Sequence, residues 1–352
     1  MIYPLKFIPI YKQYIWGGRN LLSLGKKLPE GIVAESWELC CHPDGMSIIS
    51  NGTYAGRTLQ SLLEDYGHAV MGNTYKEGCK DFPLMVKFID ANDKLSVQVH
   101  PDDVYALENE GESGKNEMWY VLYAKPGASL IYGLSPGVTK EVFKKAISQS
   151  SADKYLNSVK VKPGDFFYIP AGLVHAVGEG ILLAEIQQNS NLTYRIYDYN
   201  RVDSSGKRRA LHIEKALDVI DFKGGNQKNA KRLLTYNING NASVSVLASG
   251  PYFCAEIYDI SAMITQDTGG EQFHIYVFIS GSGSINTDAG SFPVEKGDTV
   301  LVPSSIGSYS LKGNMKAIKA YKPSSKIEIY ESLMQKGFSK EEIDSVEGMY
   351  QF

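Results

Sequence analysis

The chain is poor in cysteine, and what it has forms no pattern. Cys40, Cys41, Cys79 and Cys254 make neither a C-x-x-C pair nor the spacing of a disulfide framework. Free thiols and a reducing, cytoplasmic setting are therefore expected. No stretch approaches the roughly 20 apolar residues that span a bilayer. The opening run MIYPLKFIPIYKQYIWGG is broken by prolines and lysines and has no apolar signal-peptide core. An excess of one charge is missing too: the net charge is −3 over 352 residues, with Lys and Arg scattered. That argues against a nucleic-acid partner or a membrane surface. Hydrophobic content of 43% and charged content of 21% are ordinary, and the length holds two domains with full cores.

What is present is mostly short β-type runs bounded by Gly, Pro, Asn and Asp: SLIYG, DFFYIP, GILLAEIQQ, HIYVFISG and DTVLVP. Helical spacing is local, in TLQSLLEDYG from Thr58, VTKEVFKKAISQS from Val138 and HIEKALDVI from His212. From about Ser324 the character changes. KIEIYESLMQKG reads as a helix ended by glycine, and Ser339-Lys-Glu-Glu342 as a capping box opening another.

A repeat organises the rest. VKVKPGDFFYIPAGLVHAV (159–177) lines up with FPVEKGDTVLVPSSIGSYSL (292–311), matching Gly164-Asp165 to Gly297-Asp298 and Pro170 to Pro303. A strand precedes each copy, and setting Tyr120 against Tyr276 places Glu117 opposite Phe273. The Gly-Asp pairs place His175 opposite Ser308. A Gly-Asp turn, an apolar strand and a Pro-ended loop resemble the second half of a cupin jelly roll. The expected fold is all-β: two tandem cupin barrels with small helical insertions, followed by a short helical tail. The expected domains are 1–222, 223–323 (second barrel starting near 225) and 324–352. Polar residues kept only in the first copy imply a single working site there.

In LSVQVHPDD, Gln98 and His100 are two apart, so in a strand they share a face opposite Val97 and Val99. With Glu117 and His175 they form a candidate metal set, since zinc takes neutral imidazole and carboxylate and a catalytic site leaves a position open. His42, His68, His212 and His274 have no such context and read as loop residues. Trp16 before Gly17-Gly18 is either an apolar wall of a binding site or a buried anchor, the glycines permitting a tight turn. GSGSI (281–285) follows a strand with no helix after it, so it reads as a hairpin rather than a phosphate loop.

YIWGGRNL, ESWELCCHPDG, FPLMVKFIDANDKLSVQVHPDD, GKNEMWYV, VKPGDFFYIPAGLVHA and ILLAEIQQNSNLTYRIYDYNR occur in order from residue 13 to the end of the first domain. Their combination resembles type I mannose-6-phosphate isomerases of the short bacterial form, without the long helical insertion of other members and with GKNE where relatives often have GKTE. The resemblance implies one zinc per chain on His100, Glu117 and His175, with Gln98 as fourth ligand. It places Lys115 and Arg195 at the substrate, and it implies interconversion of mannose 6-phosphate and fructose 6-phosphate.

Chemistry supports these roles, because an enediol intermediate develops negative charge on oxygen and a phosphate calls for Lys or Arg. Plainer alternatives stand beside each: a solvated hairpin lysine for Lys115, and an ion pair with Asp198 for Arg195. Glu185 is an acid/base group, a partner of Arg195 or a support for a ligand. Other readings of the whole are an iron or manganese cupin enzyme such as a dioxygenase, since two histidines and a carboxylate suit iron too, and a non-catalytic sugar-phosphate sensor. The expected partner is a small sugar phosphate, bound by a monomer or weak homodimer.

Overall fold

The computed structural model describes residues 2–78, 80–202, 206–223 and 233–351. Cys79 and the start of the second barrel near residue 225 lie outside them; Cys40 and Cys254 are buried free thiols, and Cys41 is buried. No helix among the described residues is long and apolar enough to cross a membrane.

Two sheets build the first half. One runs in the order Phe166–Ile169, Glu117–Ala124, Ile181–Gln188, Leu84–Ala91, Glu35–Leu39, Ile10–Lys12. The other runs Leu156–Lys160, Ser129–Leu134, His175–Ala176, Val97–Val99, Tyr194–Tyr197. Leu84–Ala91 and Ile181–Gln188 are buried along their whole length. That explains their continuous apolar reading, since a strand covered on both faces shows no alternation. Trp119, Val121, Ile181 and Leu183 from the first sheet and Leu130, Tyr132 and Val177 from the second half-core share one apolar cluster.

The second half is a ten-stranded sheet dominated by two 14-residue strands, His274–Thr287 and Ser308–Tyr321. No described sheet closes on itself through its hydrogen bonds; the jelly rolls are open sheets wrapped about their cores. The strand Leu5–Ile8 joins this second sheet, pairing Leu5 with Leu301 and Lys6 with Val300. GSGSI belongs to the hairpin between His274–Thr287 and Gly290–Glu295.

The repeat is real down to single hydrogen bonds. Gly164 and Gly297 both take left-handed φ, +93° and +92°, where glycine avoids a Cβ clash. Asp165 accepts from the Lys162 amide at 2.9 Å, and Asp298 from the Glu295 amide at 3.0 Å. The registers nevertheless correct the alignment by one residue. Ile169, four after Asp165, pairs with Glu117; Val302, four after Asp298, pairs with His274. Glu117 thus corresponds to His274, not Phe273, a slip that the shared Tyr-Val in both strands invites.

All three helical periodicities form, as Leu59–Met71, Lys140–Ser148 and Ile213–Val219, the first two capped by the hydroxyls of Thr58 and Thr139. The tail forms Lys326–Gln335 and Lys340–Asp344, the latter with the expected Ser339–Glu342 box. One helix was not expected: Asp103–Glu110, capped by Asp102 and ended by Gly111 at φ +70°.

Candidate metal centre and active-site cleft

The two sheets of the first half meet at the candidate ligands. His175 opens one strand and is the register partner of Gln98; His100 follows directly after Val97–Val99. Glu117 opens its strand on the opposing sheet. His100, Glu117 and His175 are all buried, and one ligand atom from each lies within 4.8 Å of the others. His100 Nε2 is 3.2 Å from Glu117 Oε1, and His175 Nε2 is 3.7 Å from Oε2. The Gln98 amide is 3.2 Å from His175 Nε2. Gln98 and His100 therefore meet the metal set from one face.

The tautomers are fixed from behind. His100 Nδ1 faces the Leu192 carbonyl at 2.7 Å and His175 Nδ1 the Leu173 carbonyl at 2.8 Å. Each Nδ1–H donates to a carbonyl, leaving the Nε2 lone pair to face Glu117. Burial pushes both imidazoles down, His100 to about 3, so both are neutral. Burial alone would raise the Glu117 carboxyl, but the Lys115 ammonium beside it holds it well below the usual range. Lys115 Nζ stands 2.6 Å from Oε1 as a buried ion pair, and no other donor among the described residues satisfies either carboxylate oxygen. A buried carboxylate with so few partners beside two imidazole lone pairs fits a divalent cation.

Beside this centre lies a cleft of about 280 Å³ lined by Trp16, Gln98, Lys115, Glu185 and Arg195, all singled out from the sequence. Trp16 is both buried and part of the wall, stacked on Tyr14 with ring centroids 5.6 Å apart. Gly17 is required by close approach, since a Cβ there would come within 2.6 Å of the Ala34 backbone nitrogen. Lys115 precedes its strand instead of sitting in it, yet is buried and points inward.

Glu185 accepts from Trp119 Nε1 at 2.8 Å and lies 3.8 Å from Lys87 Nζ. Burial, then the charge of Glu117, pushes its carboxyl up to about 7. Arg195 is not the partner of Asp198, which is taken by Arg201 at 2.7 Å and Arg209 at 2.6 Å. Arg195 instead donates to the Ala210 carbonyl at 2.8 Å and to Ser96 Oγ at 3.3 Å. Burial and then Arg209 lower its pKa, and both arginines line the cleft.

The cleft also contains Lys87, Glu35 and Arg209, which the sequence reading passed over. Lys87 carried a signal: a lone lysine in the buried apolar strand Leu84–Ala91 must have a partner. The loop reading fails for three of the remaining histidines. His42 is in a strand, His68 in a helix, and His274 opens a strand, buried and bonded to Tyr309 at 2.7 Å. His212 is the residue before Ile213–Val219, and its Nδ1 accepts from the Arg195 amide. Among the described residues no second metal-ligating group occurs.

Residues 5–119 match the family profile "Phosphomannose isomerase type I, catalytic domain", and residues 244–322 match "Mannose-6-phosphate isomerase, cupin domain". The mannose-6-phosphate isomerase of Streptococcus mutans is 38% identical over 308 residues, 87% of this chain and 94% of that protein. Mannose-6-phosphate isomerase ManA of Bacillus subtilis is 38% identical over 321 residues, covering 90% and 98%. A crystal structure of a Bacillus subtilis mannose 6-phosphate isomerase superposes with a TM-score of 0.84 at 34% identity, over 91% of this chain and 99% of that one. A variant of the Salmonella typhimurium phosphomannose isomerase shares the fold, with a TM-score of 0.74 at 15% identity, covering 91% and 100%. With its two sheets converging on a buried His–Glu–His set, the chain belongs to the type I mannose-6-phosphate isomerase family of aldose–ketose isomerases.

Proposed function

We propose that this chain interconverts mannose 6-phosphate and fructose 6-phosphate with one zinc, held by His100, Glu117, His175 and Gln98. The catalytic unit is 1–222, with a metal-free second barrel at 223–323 and a helical tail at 324–352. The observation that carries the reading is the buried Glu117 carboxylate, paired with Lys115 alone and set between two neutral imidazoles, beside a cleft rich in cations. Bound zinc would supply a Lewis acid for substrate oxygen. Arg195 stabilises the negative charge that develops at the reacting oxygen. Arg195 and Arg209 draw the phosphate to their end of the cleft, and Trp16 supplies an apolar wall. Lys115 keeps Glu117 ionised. Glu185 moves the proton between C1 and C2, because a carboxyl near 7 can both take and return one.

The direct test is a coupled assay on mannose 6-phosphate before and after chelation. Turnover that chelation abolishes and zinc restores supports the reading; turnover unaffected by metal removal contradicts it.

A pH prediction follows from Glu185. As a base it must be ionised, so kcat/KM falls as pH drops through its titration. That limb is expected below about 7, since a divalent cation offsets the charge of Glu117 that helps raise it. Lys115 and Lys87 lower the carboxyl and Glu35 raises it. Lys87→Met removes one lowering charge, so the limb should move to higher pH. A profile unchanged in Lys87→Met, measured with zinc saturating, would count against Glu185 as the titrating group.

The second barrel supports the stoichiometry. His274, its counterpart of Glu117, is hydrogen-bonded to Tyr309, which bonds Tyr276 at 2.7 Å. A lone imidazole bonded into a pair of tyrosines makes a poor cation site. His274→Ala is therefore expected to leave the zinc content per folded chain unchanged, as checked by elemental analysis.

A further inference from the structure

The tail past residue 323 lies beyond the last residue matched by the cupin family profile, 322. The tail packs Ile329, Leu333, Ile343, Val346 and Met349 on Leu234, Val246 and Cys254 of the second half. The backbone then runs close past that half. The Ser249 amide donates to the Glu347 carbonyl at 2.7 Å, and a Cβ on Gly348, at φ +91°, would come within 2.8 Å of the Ser249 oxygen. This path brings Gln351 to the back of the active site. Its Nε2 donates to Asn116 Oδ1 at 2.9 Å, and its Oε1 accepts from the Tyr168 hydroxyl.

Asn116 lies between Lys115 and Glu117 and is 1% exposed. Its backbone N–H and its Nδ2 both donate to Gln188 Oε1, at 2.9 and 2.7 Å. Its carbonyl accepts from the Gln188 amide, and its Oδ1 also accepts from the Ala171 amide at 3.0 Å. Every polar group of this residue is engaged, and one of the anchors is the tail. Glu117 opens its strand, and the backbone just before it is held by two single bonds, the Gln188 amide to the Asn116 carbonyl and the Lys115 amide to the Pro101 carbonyl, together with the side-chain bonds of Asn116.

We infer that Gln351 is a positioning residue for the isomerase site: through Asn116 it fixes the Lys115–Glu117 segment, and so the placement of the ammonium and of the metal-binding carboxylate. Tyr168 sets the orientation of the Gln351 amide, so that its nitrogen and not its oxygen meets Asn116. The kinetic arm of the test rests on the function proposed above, while the metal arm does not.

Gln351→Ala is expected to lower kcat on mannose 6-phosphate about three- to tenfold, the worth of one neutral hydrogen bond. KM should stay within about twofold, and zinc release to a chelator should speed up by a similar factor. Gln351→Glu keeps the bond from Tyr168 but sets a carboxylate against Asn116 Oδ1, so it should not rescue either measurement. Met349→Ala, which loosens the tail through its apolar anchor, should lower the melting temperature more than Gln351→Ala does. Wild-type kcat and zinc release in folded Gln351→Ala would overturn the inference. So would a loss of melting temperature with kinetics per folded molecule unchanged. If the wild type does not turn over mannose 6-phosphate, the proposed function fails and the zinc-release comparison still decides the role of Gln351.

Discussion

Glu117→Gln is expected to weaken zinc binding by more than about 100-fold, exceeding the 10- to 100-fold typical of lost supporting residues, and to abolish isomerase activity at limiting zinc. The carboxylate is the one anion among the four proposed ligands, and it is buried, paired with Lys115 alone. An amide of the same shape keeps the packing and removes the charge. It also leaves Lys115 buried against a neutral group, which weakens cation binding further through unopposed repulsion. Gln98→Ala should cost less, about tenfold, because a neutral amide can be replaced by water. Competition against a calibrated chelator measures both. Equal affinities in the two variants would contradict the ranking.

Arg195→Ala is expected to lower kcat about 100-fold or more while zinc stays bound and the fold intact. The guanidinium is anchored by a carbonyl and a hydroxyl, both neutral, and among the described residues no carboxylate pairs with it. Asp198, the nearest structural claimant, is already held by Arg201 and Arg209. A guanidinium bonded only to neutral groups beside a second arginine suits an anion arriving from outside. If Arg195 only gripped the phosphate, KM would rise and kcat would be nearly kept. Steady-state kinetics at saturating mannose 6-phosphate separates the two outcomes, and a wild-type kcat would exclude the role given to Arg195.

Much of this was readable because local signals and global fold agree. The alternation in LSVQVHPDD put Gln98 and His100 on one face, and the Gly164-Asp165 and Gly297-Asp298 turns marked two copies of one unit. The helical spacing from Thr58 and from Val138 and the capping box at Ser339 predicted helices that form. Other features depend on partners distant in sequence. Leu5–Ile8 pairs with Thr299–Val302, nearly 300 residues away, and nothing local encodes that. Lys87 acquires meaning only when Glu185 and Glu35 arrive on neighbouring strands. The helix Asp103–Glu110 was legible but missed: its Asp102 cap lies inside a stretch read for ligands. The pairing of Glu117 with Phe273 failed because sequence similarity of two apolar strands cannot resolve a shift of one residue, whereas hydrogen-bond register can.

A zinc titration of the metal-stripped chain, with mannose 6-phosphate turnover followed at each addition, tests the single metal centre. Activity should rise linearly and level off at one zinc per chain, and His175→Ala should show neither the break nor the activity. Full turnover without zinc, or a break at two equivalents, would contradict a single centre built from His100, Glu117, His175 and Gln98.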